Sequence, residues 1–315
     1  MKLFDLHCDT LYECYENEKN LRKNNLMIDQ SKVSEYNHYI QFFALFCGVE
    51  SQNKNALCKL NPDDRLDALL SEAKKQFSLN GDWLVQCYDS EELDIAITKG
   101  KSAAFLSIEG AELVPTYEHL QKAYDAGVRM ITLSWNYQNK YATGAMLDND
   151  AVLTAEGKTF VDNLVKKNII IDVSHLSEHG FWDVCTQTEA PFVASHSNSR
   201  SVHHHLRNLT DLQFSEIIRR GGLCGINLYS RFLSNKDESS FADALKHIEH
   251  FCSLGGEDCL ALGCDFDGCD NLPKEIKSAG DMQKFAEYML KHNYAQSIVD
   301  NIFYNNANKF IHRML

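Results

Sequence analysis

The chain has 315 residues, of which 44% are hydrophobic, so it has enough apolar material for one large domain or two smaller ones. Its formal net charge of −13 argues against nucleic acid and anionic membrane surfaces as partners. The sequence turns polar at Lys2 and Asp5, too early for a signal peptide, and lacks an apolar run long enough to span a membrane. Eleven cysteines without a C-x-x-C pair then indicate reduced, mostly buried thiols in a cytoplasmic protein.

The hydrophobic pattern predicts eight short strands, most of them separated by helices. An apolar run at 3–6 precedes a polar, irregular stretch at 11–38, and a second buried strand follows at 39–46. The other six strands are predicted at 103–108, 129–134, 169–173, 192–195, 222–228 and 259–263, and a short additional strand at 83–88. Helices are predicted near 61–80, 90–100, 117–126, 154–165, 181–187, 211–220, 240–254, 281–292 and 294–313, and polar loops at 135–153 and 197–209.

Most of the predicted strands are continuous apolar runs, which is typical of parallel strands that are covered on both faces. Eight strand–helix units predict an α/β protein with a (β/α)₈ TIM barrel, and a doubly wound open sheet is the alternative. The sequence contains no linker, low-complexity tract or glycine-rich phosphate loop. We therefore expect a single domain spanning residues 1–315.

Polar side chains that can bind a metal follow five of the predicted strands: His7, Asp9, Glu109, His175, His196 and Asp265. Each has an ordinary structural alternative, because strand-end histidines are usually hydrogen-bonded and Asp265 can form a turn before Gly268. In a barrel, however, the C-terminal strand ends converge on the face that holds the active site. Three imidazoles and three carboxylates there predict a binuclear metal site, which suits hydrolysis.

Five segments occur in the order seen in the membrane (renal) dipeptidase family: His7-Cys8-Asp9, Ser107-Ile108-Glu109-Gly110, Ile171-Asp172-Val173-Ser174-His175, Ser195-His196-Ser197 and Gly263-Cys264-Asp265-Phe266-Asp267-Gly268. The chain resembles that family of zinc peptidases, a branch of the amidohydrolase superfamily, from residue 3 to about residue 310. The resemblance implies a zinc metallopeptidase that hydrolyses dipeptides through a hydroxide bridging two zinc ions.

The resemblance also implies roles for individual residues. His7 and Asp9 would bind one zinc, Glu109 would bridge to the second, and His175 and His196 would bind that second zinc. Asp265 would orient the bridging water and pass its proton to the leaving amine. Arg207, eleven residues after His196, would bind the C-terminal carboxylate of the substrate. Without the resemblance to the family, Arg207 would be interpreted as a solvated loop residue. Tyr229 would line the substrate site.

One position departs from the family pattern. Family dipeptidases place a histidine after the fourth strand, in a Leu-Thr-His pattern, whereas this chain has Leu133-Ser134-Trp135-Asn136. Trp135 cannot act as an imidazolium, but its indole N–H can donate one hydrogen bond, and Asn136 can donate as well. We expect both residues to contact substrate and the substrate range to be changed or narrowed.

Several alternatives stay open at this point. The chain could instead act on an N-acyl amino acid or another small amide, or be an inactive metal-binding homologue. Iron, manganese or cobalt could replace zinc in such a site. The expected partner is a small dipeptide, and a homodimer is the assembly common in the family. His203, His204 and His205 are interpreted as loop and rim residues, and Cys8 and Cys264 as packing residues, with a thiolate ligand at Cys8 as the alternative.

Overall fold

The structure is a computed structural model that describes residues 1–48, 55–147, 151–236 and 238–315. Nine parallel strands form its sheet: β1 (Lys2–Cys8), β2 (His38–Phe46), β3 (Leu84–Gln86), β4 (Ser102–Glu109), β5 (Val128–Thr132), β6 (Ile170–Asp172), β7 (Val193–Ala194), β8 (Leu223–Ile226) and β9 (Leu260–Leu262). Pairing of β2 with both β1 and β4 closes eight of them into a barrel. Strand β3 pairs with the start of β4, on the edge that β5 occupies further along.

Helices lie between most of the strands. They are α1 (Thr10–Glu16), α2 (Gln30–Val33), α3 (Pro62–Leu79), α4 (Ser90–Thr98), α5 (Tyr117–Asp125), α6 (Ala155–Lys166), α7 (Glu178–Gln187), α8 (Asp211–Arg219), α9 (Ser230–Leu233), α10 (Phe241–Ser253), α11 (Met282–Lys291), α12 (Gln296–Asp300) and α13 (Asn306–Met314). Side chains of Asp89, Thr154 and Thr210 cap helices by accepting backbone N–H groups, which satisfies donors that have no partner within the helix. Among the described residues, no helix is long and apolar enough to cross a membrane.

The predicted barrel and the additional strand near residues 83–88 are confirmed. The prediction that residues 11–38 are irregular is wrong in part, because α2 and all but the first residue of α1 lie there. Helix α1 has only seven residues, too few for a clear periodic signal, but it buries Leu11 and Cys14. A π-helical turn at Asn301–Asn305 joins α12 to α13 within the last predicted helix. Residues 148–150 of the predicted polar loop at 135–153 lie outside the described residues.

The interior of the barrel changes from apolar to polar along the strands. Every barrel strand contributes to one buried apolar cluster, which includes Phe4, Ile40, Phe105, Met130, Ile170, Val193, Leu223 and Ala261. Residues two and four positions further along share the same face of a strand. Those positions carry Ser107 and Glu109 on β4, Thr132 on β5 and Asp172 on β6. The C-terminal end of the barrel interior is therefore lined by polar side chains, and the apolar cluster fills the interior below them.

Candidate metal centre

Three imidazole nitrogens meet one carboxylate oxygen at the C-terminal end of the barrel. The Oε1 atom of Glu109 lies 2.9 Å from His175 Nε2, 3.4 Å from His196 Nε2 and 3.7 Å from His7 Nε2. His7 Nε2 also lies 3.4 Å from Asp9 Oδ2 and 3.7 Å from Asp265 Oδ1. All six side chains are buried. The structure thus brings together the whole set of residues that the strand ends predict.

An irregularity in β1 turns His7 into this cluster. Phe4 and Leu6 both belong to the interior apolar cluster, so strict alternation would point His7 toward the surrounding helices. The pairing of β1 with β2 instead shifts register between Asp5 and Cys8. The buried Asp5 carboxylate accepts the His7 backbone N–H at 3.3 Å within this irregular segment. Asp9 follows the strand as the residue before α1, and there it meets the His7 ring.

Two residues of the cluster have unusual backbone conformations. His175 has φ 68° and Asp265 has φ 62°, in the left-handed region that L-residues seldom occupy. This conformation lets the chain turn sharply at the end of a strand and aim the side chain across the barrel mouth. Such strain persists only where surrounding contacts hold it, and it concentrates at functional sites.

The electrostatics of the cluster show an excess of negative charge. Burial raises the pKa of Glu109 well above its ordinary value, and the charge of Asp9 adds to this rise. Burial also raises the pKa of Asp265, although the charge of His7 opposes it. Burial would lower the pKa of His7, but Glu109 and Asp9 outweigh it and raise this pKa to about 10. Without a metal ion, the carboxylates favour a proton on His7. A divalent cation bound here would supply that positive charge instead.

The other two histidines are held in the neutral form, which is the form of imidazole that can bind a metal. Burial lowers the pKa of His175 and of His196 well below the ordinary value, helped by the charge of Arg207 on the first and of His7 on the second. The Nδ1 atom of His175 lies 2.8 Å from Asn136 Oδ1, and that of His196 lies 2.7 Å from Ser195 Oγ. Both Nε2 atoms therefore face the centre, 2.8 Å apart.

Open acceptor atoms show that these residues fit a metal ion. His7 Nε2 and Asp9 Oδ1 are buried with no hydrogen-bond partner in the part of the chain that the structure describes. Such atoms are costly unless something else satisfies them. Two overlapping groups, His7 with Glu109 and His196 and His7 with Asp9 and Asp265, have ligand atoms within 4.8 Å of one another. Imidazole nitrogen and carboxylate oxygen are donors that zinc and similar divalent ions accept.

A cavity of about 620 Å³ opens above the cluster. Its floor includes Asp9, Glu109, His175 and Asp265, and its walls carry the aromatic rings of Phe46, Trp135, Tyr229 and Phe232. Asn136 also lines the cavity. The predicted substrate contacts Trp135, Asn136 and Tyr229 are therefore all at the cavity surface. The lining also includes the carboxylates of Glu13, Asp267 and Asp270, so the cavity combines aromatic rings with a strongly acidic surface. Convergent polar groups beside apolar surface are typical of small-molecule sites.

Arg207 is only 4% exposed and is not one of the residues that line this cavity. Its guanidinium carbon lies 5.3 Å from the centre of the Phe232 ring. Its Nε and Nη2 atoms are buried, and no described residue offers them a hydrogen bond. Burial lowers the pKa of Arg207 to about 10, against the opposing charges of Asp265 and Glu109. Arg207 is therefore not a solvated loop residue but a buried cation with open N–H donors.

Sequence reasoning missed two residues that shape Asp265. Asn227, four residues after the start of β8, donates from Nδ2 to Asp265 Oδ2 at 3.0 Å. Gly268 packs so closely that a Cβ there would collide with carboxylate oxygens of Asp9 and Asp265. Asn227 lies on the inward face of β8, two residues beyond Gly225, which is the signal that could have identified it.

The other histidines and cysteines near the site have contacts outside the cluster of candidate ligands. His203 Nε2 contacts the Arg231 carbonyl at 3.1 Å, His204 is exposed, and His205 Nδ1 accepts the Arg207 backbone N–H at 3.1 Å. Cys8 and Cys264 belong to the outer apolar cluster. Burial raises the pKa of both thiols well above the ordinary value, which disfavours the thiolate that a metal would need.

Comparisons with known proteins identify the family of this chain. The family model described as membrane dipeptidase (peptidase family M19) matches residues 1–314. A Klebsiella pneumoniae protein described as "uncharacterized protein in pqqA 5′region" is 32% identical over 197 residues, which cover 59% of this chain and 72% of that protein. An uncharacterized dipeptidase from Schizosaccharomyces pombe is 29% identical over 266 residues, which cover 80% of this chain and 62% of that protein.

A solved structure shares the fold along the whole chain. A Rhodobacter sphaeroides metallo peptidase, liganded with a phosphinate mimic of the dipeptide L-Ala-D-Ala, superposes with a TM-score of 0.90 at 23% identity, over 100% of this chain and 99% of that chain. This likeness supports the (β/α)₈ barrel, and the family match covers the strands and the cluster alike. The chain belongs to the membrane dipeptidase family, peptidase family M19, and is a metallopeptidase enzyme.

Proposed function

We propose that this chain is a dipeptidase that uses two zinc ions to hydrolyse the peptide bond of dipeptides, and that residues 1–315 form one catalytic domain. The observation that carries the proposal is the meeting of three imidazole Nε2 atoms at Glu109 Oε1, within 2.9–3.7 Å, beside acceptor atoms that lack hydrogen bonds in the described structure. A buried cluster of this composition is stable only when positive charge balances it.

The ligand roles are those that the family resemblance implies, and the distances around Glu109 support them. His7 and Asp9 would hold one ion, His175 and His196 the other, and Glu109 would stand between the ions because its Oε1 faces all three imidazoles. When bound, two such ions supply a Lewis acid for the substrate carbonyl and lower the pKa of a water molecule so that it can attack.

Asp265 is the residue we assign to proton transfer. Its Oδ1 faces the cluster, 3.7 Å from His7 Nε2, while its Oδ2 is held by the Asn227 amide at 3.0 Å. Asp265 lines the cavity, so it can reach both an attacking water and a leaving amine. Burial raises its pKa, which makes the carboxylate a better base and brings it closer to the pH at which it must take up and release a proton.

The cavity and Arg207 favour a substrate as small as a dipeptide. Open Nε and Nη2 donors on the buried Arg207 suit the planar carboxylate at the C-terminus of a substrate. Tyr229, Trp135 and Asn136 would contact the rest of it from the cavity walls. The dipeptide mimic bound by the Rhodobacter sphaeroides metallo peptidase supports the same substrate size.

Trp135 supports a second candidate, hydrolysis of an N-acyl amino acid or another small amide. Its ring centre lies 6.0 Å from that of His175, and the indole offers one N–H donor but no acceptor. The two candidates differ in whether the substrate needs a free α-amino group.

A substrate panel with and without the two charged ends tests the proposal. We expect cleavage of L-Ala-D-Ala or L-Ala-L-Ala that a chelator abolishes, and a raised KM for the C-terminal amide of the same dipeptide. N-acetylation should abolish cleavage if the free amino group is required. Cleavage of N-acyl amino acids with no turnover of free dipeptides would contradict the dipeptidase proposal and favour the second candidate.

A further inference from the structure

The buried carboxylate of Asp172 joins the ends of three strands beside the candidate metal ligands. Its Oδ1 accepts the backbone N–H groups of Ser174 and Ser195, both at 2.9 Å. Its Oδ2 accepts the hydroxyl of Thr132 at 2.7 Å and the hydroxyl of Ser195 at 2.6 Å. Each oxygen thus receives two donors, which uses the acceptor capacity of the carboxylate. Neither the sequence motifs nor the proposed chemistry gives this residue a role.

Ser195 connects Asp172 to the ring of His196. The Ser195 hydroxyl donates its single proton to Asp172, so its oxygen can act only as an acceptor toward His196 Nδ1, 2.7 Å away. Nδ1 must then carry the ring proton. The Nε2 atom of His196 is left with a lone pair, directed at His175 Nε2 and at Glu109 Oε1.

The surroundings hold this chain of hydrogen bonds in place. The Ser174 hydroxyl accepts the backbone N–H of His196 at 3.0 Å. Gly225 and Gly263 pack against the carbonyl of Ser195 so closely that a Cβ at either position would collide with it. Asp172, Ser174 and Ser195 are all fully buried, so water does not compete for their hydrogen bonds.

We propose that Asp172 is a positioning residue that fixes, through the Ser195 hydroxyl, the His196 tautomer whose Nε2 can bind a metal ion; this inference rests on the proposed binuclear function. His175 has a separate arrangement, since its Nδ1 faces the amide oxygen of Asn136. Loss of Asp172 should therefore affect the ion at His196 through the tautomer, while the Nδ1 contact of His175 remains.

The substitution Asp172→Asn tests the tautomer with almost no change in shape. The asparagine oxygen can keep accepting the two backbone N–H groups, but an NH₂ group then replaces Oδ2 and cannot accept the Ser195 proton. The hydroxyl turns that proton toward His196 Nδ1, and the ring proton moves to Nε2, where it blocks metal binding. Thr132→Val is the matched control, because it removes one hydrogen bond to the same carboxylate and leaves the link through Ser195 intact.

Two readouts are compared for the wild type and both variants. Nitrogen-15 NMR of the histidine rings in metal-free protein, assigned with a His196→Gln variant, reports the tautomer. Competition with a chromogenic chelator reports zinc affinity. We expect an Nδ1–H tautomer at His196 in the wild type and in Thr132→Val, and an Nε2–H tautomer in Asp172→Asn. Zinc affinity should fall about 10- to 100-fold in Asp172→Asn and stay within about threefold in Thr132→Val.

An Nε2–H tautomer in the wild type would overturn the inference, and this result does not depend on how any variant folds. Wild-type zinc affinity in folded Asp172→Asn would overturn it as well. Failure of the proposed function looks different, because the wild type itself would then bind no zinc while its tautomer could still be measured.

Discussion

Substitution of Gly268 tests how tightly the candidate metal ligands are packed. An added Cβ would lie 2.5 Å from Asp265 Oδ1 and closer still to Asp9 Oδ2, whereas ordinary contact begins near 3.4 Å. Moving Asp265 from 2.5 to 3.4 Å requires a displacement of about 0.9 Å. Gly268 is not among the glycines with a left-handed backbone, so steric contact alone opposes alanine.

A displacement of this size should cost activity far more than stability. Misplacing a reacting group by about 1 Å reduces a rate by about 100-fold, or about 2.7 kcal/mol of transition-state stabilisation. Overpacking costs about 1–3 kcal/mol of unfolding free energy. We therefore expect Gly268→Ala to lower kcat/KM for a dipeptide by about 100-fold, to bind zinc more weakly, and to unfold only a few degrees below the wild type.

Gly81→Ala is the matched control, because its Cβ would meet its nearest neighbour, the Phe77 carbonyl, at an ordinary 3.4 Å, far from the site. Steady-state kinetics at saturating zinc and thermal unfolding would be measured for both variants. A folded Gly268→Ala variant that keeps kcat/KM within threefold of the wild type would show that the Cβ does not displace Asp265.

Three further predictions concern substrate binding and stability. Arg207→Met should raise KM for dipeptides about 10- to 100-fold without lowering the thermal midpoint, because it removes a charged donor to the substrate together with a buried, unpaired charge; an unchanged KM would contradict this role. Trp135→His should change the relative kcat/KM values for free dipeptides and N-acyl amino acids several-fold, and identical profiles would show that Trp135 has no role in selection. Asp243→Asn should cost about 1–2 kcal/mol of unfolding free energy at pH 7, because hydrogen bonds from Lys236 and Ser240 outweigh burial and lower the pKa of Asp243 from 3.8 to about 2. Because the pKa of Asp243 is lower in the folded protein than in the unfolded chain, its carboxylate stabilises the fold above pH 3.8, and this stabilisation is lost as the pH falls toward 2. Urea unfolding should therefore show a smaller difference between wild type and Asp243→Asn at pH 3 than at pH 7. An equal difference at both pH values would contradict this linkage between pKa and stability.

The cluster of candidate metal ligands could be predicted from sequence because parallel strands carry their C-terminal residues to one place. Glu109 is the last residue of β4, and His175 and His196 lie within three residues of the ends of β6 and β7, so the fold alone brings them together once the barrel closes. The position of His7 was predicted for a simpler reason than the structure gives. The sequence places His7 and Asp9 together because both follow the first predicted strand, whereas in the structure a register shift in β1 and a turn into α1 bring them together.

The residues that hold the cluster were harder to find, since their roles depend on which strand lies beside which. Asp172 is part of an obvious motif, but its four hydrogen bonds come from β5, from its own strand end and from the residue after β7. Gly268 reads as a turn glycine, and only the placement of Asp9 beside it shows that a side chain would not fit. Arg207 reads as a loop arginine, and only the packing of its loop against Phe232 buries it.

The most direct test of the central claim is the metal content of protein purified without added metal, measured by elemental analysis together with dipeptide turnover before and after chelation. We expect nearly two zinc ions per chain, loss of turnover when they are removed, and recovery when zinc is returned. Protein that binds no metal even when zinc is supplied would contradict the claim that His7, Asp9, Glu109, His175 and His196 form one site.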